Sequence, residues 1–134
     1  MEAALTRLGA SADNTANMSS RGALPDAAGG NEDRQTHKPV RVVQSALVTD
    51  GVGSGTVASL RAVQQAYLET HEPDSRFANA DGLVAAPHTD PEQETIEQIS
   101  AELEFKLNAM VFEAGADMLQ TLIDMAGSAR ERDR

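Results

Sequence analysis

Apolar residues recur at three- and four-residue steps in two stretches of the chain, one near each end. Near the start, Leu5, Leu8, Ala12 and Ala16 fall on one face of a helix predicted over residues 3 to about 18. Ser19-Ser20-Arg21-Gly22 and then Pro25 form its stop, with Gly22 expected in the positive-φ conformation of a helix C-terminus. A helix this short is marginal alone in water, so it needs a partner helix. Toward the other end, Asp90 is the predicted N-cap and Pro91 the first-turn residue of an uninterrupted helix reaching about Ala126. Glu92 and Glu94 lie near its positive end, as the helix dipole favours. Its apolar positions are Ile96, Ile99, Leu103, Leu107, Met110, Ala114, Met118, Leu122 and Met125. Their spacings alternate between three and four residues, as in the seam of a coiled coil. At 1.5 Å per residue this rod is about 50 Å long. The N-terminal helix is far too short to cover it. That mismatch predicts that the C-terminal helix meets other chains.

The intervening stretch has a different texture. Residues 19–38 are small, polar and rich in Gly and Pro, which predicts a mobile linker. Val40 to Val48 is short and β-branched, and Asp50-Gly51 then marks a turn. Thr56 to Leu68 fits a helical period about as well as a strand. His71 to Pro91 contains Pro73, Asp81-Gly82, Pro87 and Pro91, which predicts loops with a tight turn around Leu83-Val84.

Charge and composition then remove several classes of function. Lys and Arg total 11 against 21 Asp and Glu, a net charge of −10. Nucleic acid and anionic membranes both reward clustered cations, so neither is expected as the main partner. The 40% hydrophobic share rests heavily on alanine, which predicts a thin core. Without cysteine there is no disulfide framework, thiol nucleophile or Cys-ligated zinc. No stretch approaches the roughly 18 apolar residues of a transmembrane helix. The opening MEAALTRLGASADN lacks the basic start and apolar run of a secretory signal peptide.

The candidate chemistry is weak throughout. Gly51-Val-Gly-Ser-Gly-Thr56 resembles a phosphate-cradling loop but lacks the P-loop lysine and the dinucleotide spacing, and reads as a hairpin turn. His37, His71 and His88 sit in loop-like segments, none paired at i, i+4 for a metal. Glu92, Glu94, Glu97, Glu102, Glu104 and Glu113 read as the solvated face of the long helix. Met110, Met118 and Met125 read as seam packing. Asn17-Met18-Ser19 matches a glycosylation sequon of the kind that arises by chance, and Arg130, Arg132 and Arg134 fit a solvated terminus. No enzymatic constellation, cofactor, metal or small-molecule substrate is expected.

Two terminal segments resemble a known family. Leu5-Thr-Arg-Leu8 followed by Ser11-Ala-Asp-Asn14-Thr-Ala-Asn17 is similar to the S-A-N-N-[IV]-A-N signature of bacterial flagellar axial proteins, specifically the basal-body rod family. Ile99-Ser-Ala-Glu-Leu-Glu-Phe105-Lys-Leu-Asn108 resembles that family's I-x-A-x-x-x-[YF]-x-x-N motif, and Ala116-Asp-Met118-Leu-Gln-Thr-Leu122-Ile-Asp124 its closing run. Pro39 to Gln44, and Tyr67 with His71 to Pro87, resemble the middle of the proximal members. Asp13 stands where the family has asparagine, Thr15 where it has an apolar residue, and His88-Thr89-Asp90 where N-V-D is common. The helix before Asn14 is also shorter than usual in the family.

The resemblance implies an α+β fold. Its N- and C-terminal helices pack as a helical hairpin or coiled coil, with a small β-rich insert and a flexible Gly/Pro-rich loop between. The expected segments are a helix over 1–22, a linker over 23–38, a β-rich insert over 39–90 that makes Thr56–Leu68 strand, a long helix over 91–127, and a disordered tail over 128–134. Implied partners are other rod subunits, copies of the chain itself and the flagellar type III export apparatus. The implied location is the basal body. Subunit packing is expected at Asn14, Asn17, Ile99, Leu103, Phe105, Leu107, Asn108, Met110, Met118 and Leu122. The alternative is a divergent relative whose helices serve as a cytoplasmic interaction module.

Overall fold

The computed structural model describes residues 1–25 and 35–132. Helix α1 (Glu2–Asn17) is followed by strands β1 (Val40–Thr49), β2 (Val52–Ala62), β3 (Tyr67–His71) and β4 (Leu83–Pro87), and then by helix α2 (Pro91–Arg132). β1 pairs with β2 and β3 with β4, giving two separate two-stranded antiparallel sheets. α1 packs against α2. The fold is α+β, as expected.

Local chemistry explains the element ends. Asp90 caps α2, its Oδ1 accepting from the Glu92 N–H at 3.0 Å and, more weakly, from that of Gln93. α2 runs past Gly127 to Arg132, so residues 128–132 of the expected tail are helical. Ser128 to Arg132 contain no proline, and Gly127 keeps helical geometry because nothing requires it to turn. α1 ends without a left-handed cap: Met18 has φ −61°. Gly22 instead exchanges two backbone hydrogen bonds with Ala85, at 3.0 and 2.9 Å, and lies alongside β4. The expected Gly22 cap is therefore corrected to a strand-like bridge.

The β1–β2 hairpin closes on a two-residue turn between the paired Thr49 and Val52. Asp50 (φ 53°) and Gly51 (φ 79°) are both left-handed, the geometry that matches the twist of the flanking strands. The register slips between Leu47 and Val48, leaving a bulge opposite them in β2 near Gly55. The Gly-rich segment is thus a hairpin turn with a bulge. Of Thr56–Leu68, residues up to Ala62 and from Tyr67 onward are strand, with a break between.

Leu83-Val84 departs from expectation. Rather than a tight turn, it begins β4, the most buried strand, in which Val84 is wholly enclosed. The sequence shows only four residues, Leu83 to Ala86, between the Gly82 turn and Pro87. Pairing with β3 on one edge and Gly22 on the other supplies what local propensity does not. The core is small-residue throughout: Ala3, Ala4, Val84, Ala85, Ala86 and Ala101 are its buried apolar members. Of the predicted linker, residues 26–34 lie outside the described residues. Residues near its end are tied down: Thr36 is buried, and the His37 N–H donates to Ser20 Oγ at 3.2 Å.

Candidate assembly surface

The two helices meet through polar and small groups. Ala3, Ala4, Ser11 and Asn14 are the buried residues of α1. Ser11 Oγ donates to the Glu94 carbonyl at 2.9 Å, and Gln98 Nε2 donates to Thr15 Oγ1 at 3.1 Å. Arg7 spans two carboxylates of α2, reaching Glu97 Oε2 at 2.7 Å and Glu104 Oε2 at 2.8 Å. The hydrogen bond that Arg7 donates to Glu97 is the main cause that raises the Arg7 pKa above its ordinary value. Partial burial opposes it, and Glu104 adds to it. Ala101, fully enclosed, lets the helices approach closely.

This reverses the expected orientation of α1. Leu5, Ala12 and Ala16 are exposed and Leu8 is half-buried, so the apolar row looks away from α2. Small residues and the Arg7 clamp decide the contact, leaving the apolar rows of both helices unused. Glu94, Glu97 and Glu104 therefore work inside the chain rather than on a solvated face. Glu92 and Glu113 are exposed, and Glu102 pairs with Lys106 one turn on.

The ten residues expected to pack between subunits fall into three groups. Ile99, Leu103, Leu107, Met110, Met118 and Leu122 are each more than half exposed. Asn108 is also exposed, its Nδ2 donating back to the Glu104 carbonyl, and Phe105 is half-buried. The two N-terminal asparagines are engaged within the chain. Asn17 Nδ2 donates to the Asp13 carbonyl at 2.9 Å. Asn14 is 2% exposed, donates to the Val40 carbonyl (2.8 Å) and Glu94 Oε1 (3.0 Å), and accepts from the Val40 N–H (3.0 Å). His37 Nε2 lies 3.3 Å from its oxygen. Asn14 thus ties α1, β1 and α2 together within the chain.

The seam is only part of the free surface. Val111, Phe112, Leu119 and Ile123 are also exposed, Phe112 most of all at 76%. Phe112, Leu119 and Ile123, spaced seven and four, form a second row outside the seam. That spacing is visible in the sequence. From Leu107 onward α2 is apolar on most of its circumference. Helices of that kind are buried in their functional state. Val43, Leu47, Val48, Val52, Val57 and Leu60 add exposed apolar surface on the β1–β2 arm.

Two hollows lie among the described residues. A cavity of about 30 Å³ beside Arg7, Ser11, Val40 and Glu94 has room for little more than a water molecule. An open hollow of about 370 Å³ follows Gln64–Glu69, whose only ionisable carboxylate is Glu69. Among the described residues no three His, Cys, Asp or Glu side chains are grouped to hold a metal ion, and no helix is long and apolar enough to cross a membrane. No protein-family model matches the chain, and no curated protein matches it.

Proposed function

We propose that the chain is a structural subunit of the bacterial flagellar basal-body rod, most similar to the proximal rod protein FlgC. It assembles with copies of itself and with other rod subunits through its terminal helices and contributes to flagellum-dependent motility. It acts as a building block rather than an enzyme, with no cofactor or small-molecule substrate.

The observation that carries the reading is the distal half of α2, apolar on most sides and exposed at every position from Met110 to Ser128. Each large apolar side chain that becomes buried in an assembly contributes about 1.5–3 kcal/mol. Six or more such residues are enough to order a chain whose own core is mostly alanine. The order of the terminal motifs supports the rod family as the assembly. The small core and the lack of cysteine support export through the narrow channel of the flagellar type III apparatus.

The test is whether the tagged full-length protein co-purifies with detergent-extracted hook–basal bodies. Retention through high salt is expected. A protein found only in the soluble cytoplasm would instead favour a relative whose helices serve another partner.

A further inference from the structure

The β1–β2 arm carries an arrangement that the free chain does not explain. Arg41 lies directly opposite Arg61 across the two strands, and both are exposed. Like charges in directly opposed positions destabilise a strand pair. Neither arginine forms an ion pair among the described residues, although Arg41 borders the small cavity that Glu94 and Glu97 also line. The same face carries Val43, opposite Ser59, then Val57, opposite Ser45, then Leu47, opposite Gly55. All three apolar residues are exposed. The other face holds Val40 and Val42, which are half-buried where the arm packs beside α1.

We propose that this free face docks on the distal half of α2 in a second copy of the chain, with Arg41 and Arg61 set against the acidic row Glu113, Asp117 and Asp124. The proposal rests on the reading of the chain as an assembling subunit and names two surfaces that meet. The acidic row has spacings of four and seven, so it lines one side of the helix. Between Leu107 and Ser128 there is no Lys, Arg or His to neutralise it. Phe112, Leu119 and Ile123 border the same face from its other side, about 120° around the helix, outside the seam, and are exposed. Lengths also agree. Ten cross-strand pairs give an arm of about 33 Å, and residues 107–128 of α2 span about 33 Å. The two surfaces are different, so the contact is heterologous and propagates into an open array, leaving the seam for helix–helix packing.

The absence of native cysteine makes a direct test simple. Full-length protein carrying Val57→Cys is mixed with a differently tagged preparation carrying Leu119→Cys and then oxidised. A disulfide dimer containing one copy of each is expected, well above the yield from either preparation alone. In parallel, Arg41→Glu with Arg61→Glu should weaken self-association at low salt by about tenfold or more, as should Glu113→Lys with Asp117→Lys. Mixing the two charge-reversed proteins should restore association. Circular dichroism checks that each variant folds.

Absence of the mixed disulfide, charge reversals without effect, or a chain that stays monomeric at every concentration would each overturn the arm–helix contact. Leu107→Asp separates this from the broader reading. If it blocks assembly while no mixed disulfide forms, the seam stands and the arm contact falls.

Discussion

Asn14 shows how one side chain sets the relation between elements. Its amide serves both backbone groups of Val40 and the carboxylate of Glu94 while almost fully buried. Asn14→Ala leaves the Val40 N–H and carbonyl without that partner, and stability should fall by about 2–3 kcal/mol. Asn14→Asp keeps the shape but turns an acceptor toward two other acceptors. Its urea midpoint should lie no higher than that of the alanine variant, and recovery to wild type would refute the clamp. Gly82 is a second such point. Its φ is +73°, and an added Cβ would come within 3.1 Å of His71 Nε2 and Pro73 Cβ. Gly82→Ala should cost at least about 1 kcal/mol in the same measurement. The sequence singles out Asn14 through a motif, yet its partners are out of reach of any local pattern. Val40 lies 26 positions along the chain and Glu94 lies 80.

At the scale of elements, what is legible is what short-range chemistry decides. Asp90 before Pro91 forecasts the start of α2, and Asp50-Gly51 forecasts the hairpin turn, because both depend on a few neighbouring residues. The faces of α1 and the existence of β4 depend on remote partners, and periodicity alone misplaces both. The apolar row of α1 is real, but Arg7 between Glu97 and Glu104 outweighs it in the single chain. A two-stranded arm with little burial should also be the least protected β structure. Hydrogen exchange is expected to be faster for amides of Val43–Val57 than for Val84–Ala86, and equal protection would mean that the arm is held by contacts not seen in the single chain. On α2, Lys106 donates a hydrogen bond to Glu102 and holds its carboxyl below the ordinary 4.5. The pair's contribution is therefore present above pH 4.5 and is lost as the pH falls through the lowered folded value. Glu102→Gln lacks that contribution at every pH, so its helical ellipticity at low salt should lie slightly below wild type at neutral pH and coincide with it in acid, where the wild-type pair is already lost.

For the whole molecule, the informative quantity is the difference between what folding buries and what it leaves out. Folding encloses mostly alanine, whereas the large apolar residues of α2 stay in water. A mutation can therefore act on assembly without acting on the fold. Leu107 is 54% exposed in the free chain, so Leu107→Asp should change monomer stability by no more than about 0.5 kcal/mol. In an assembly the same change would place a carboxylate in an apolar seam, where an unpaired charge costs several kcal/mol. Sedimentation of the purified variant should show a monomer under conditions where the wild type associates, with the two urea midpoints nearly equal. In cells, export of the variant should continue, because its free form is unchanged, while incorporation into basal bodies is lost. Normal incorporation would show that Leu107 faces solvent in the assembly, and the seam would then have to lie on the Phe112–Leu119 side of the helix.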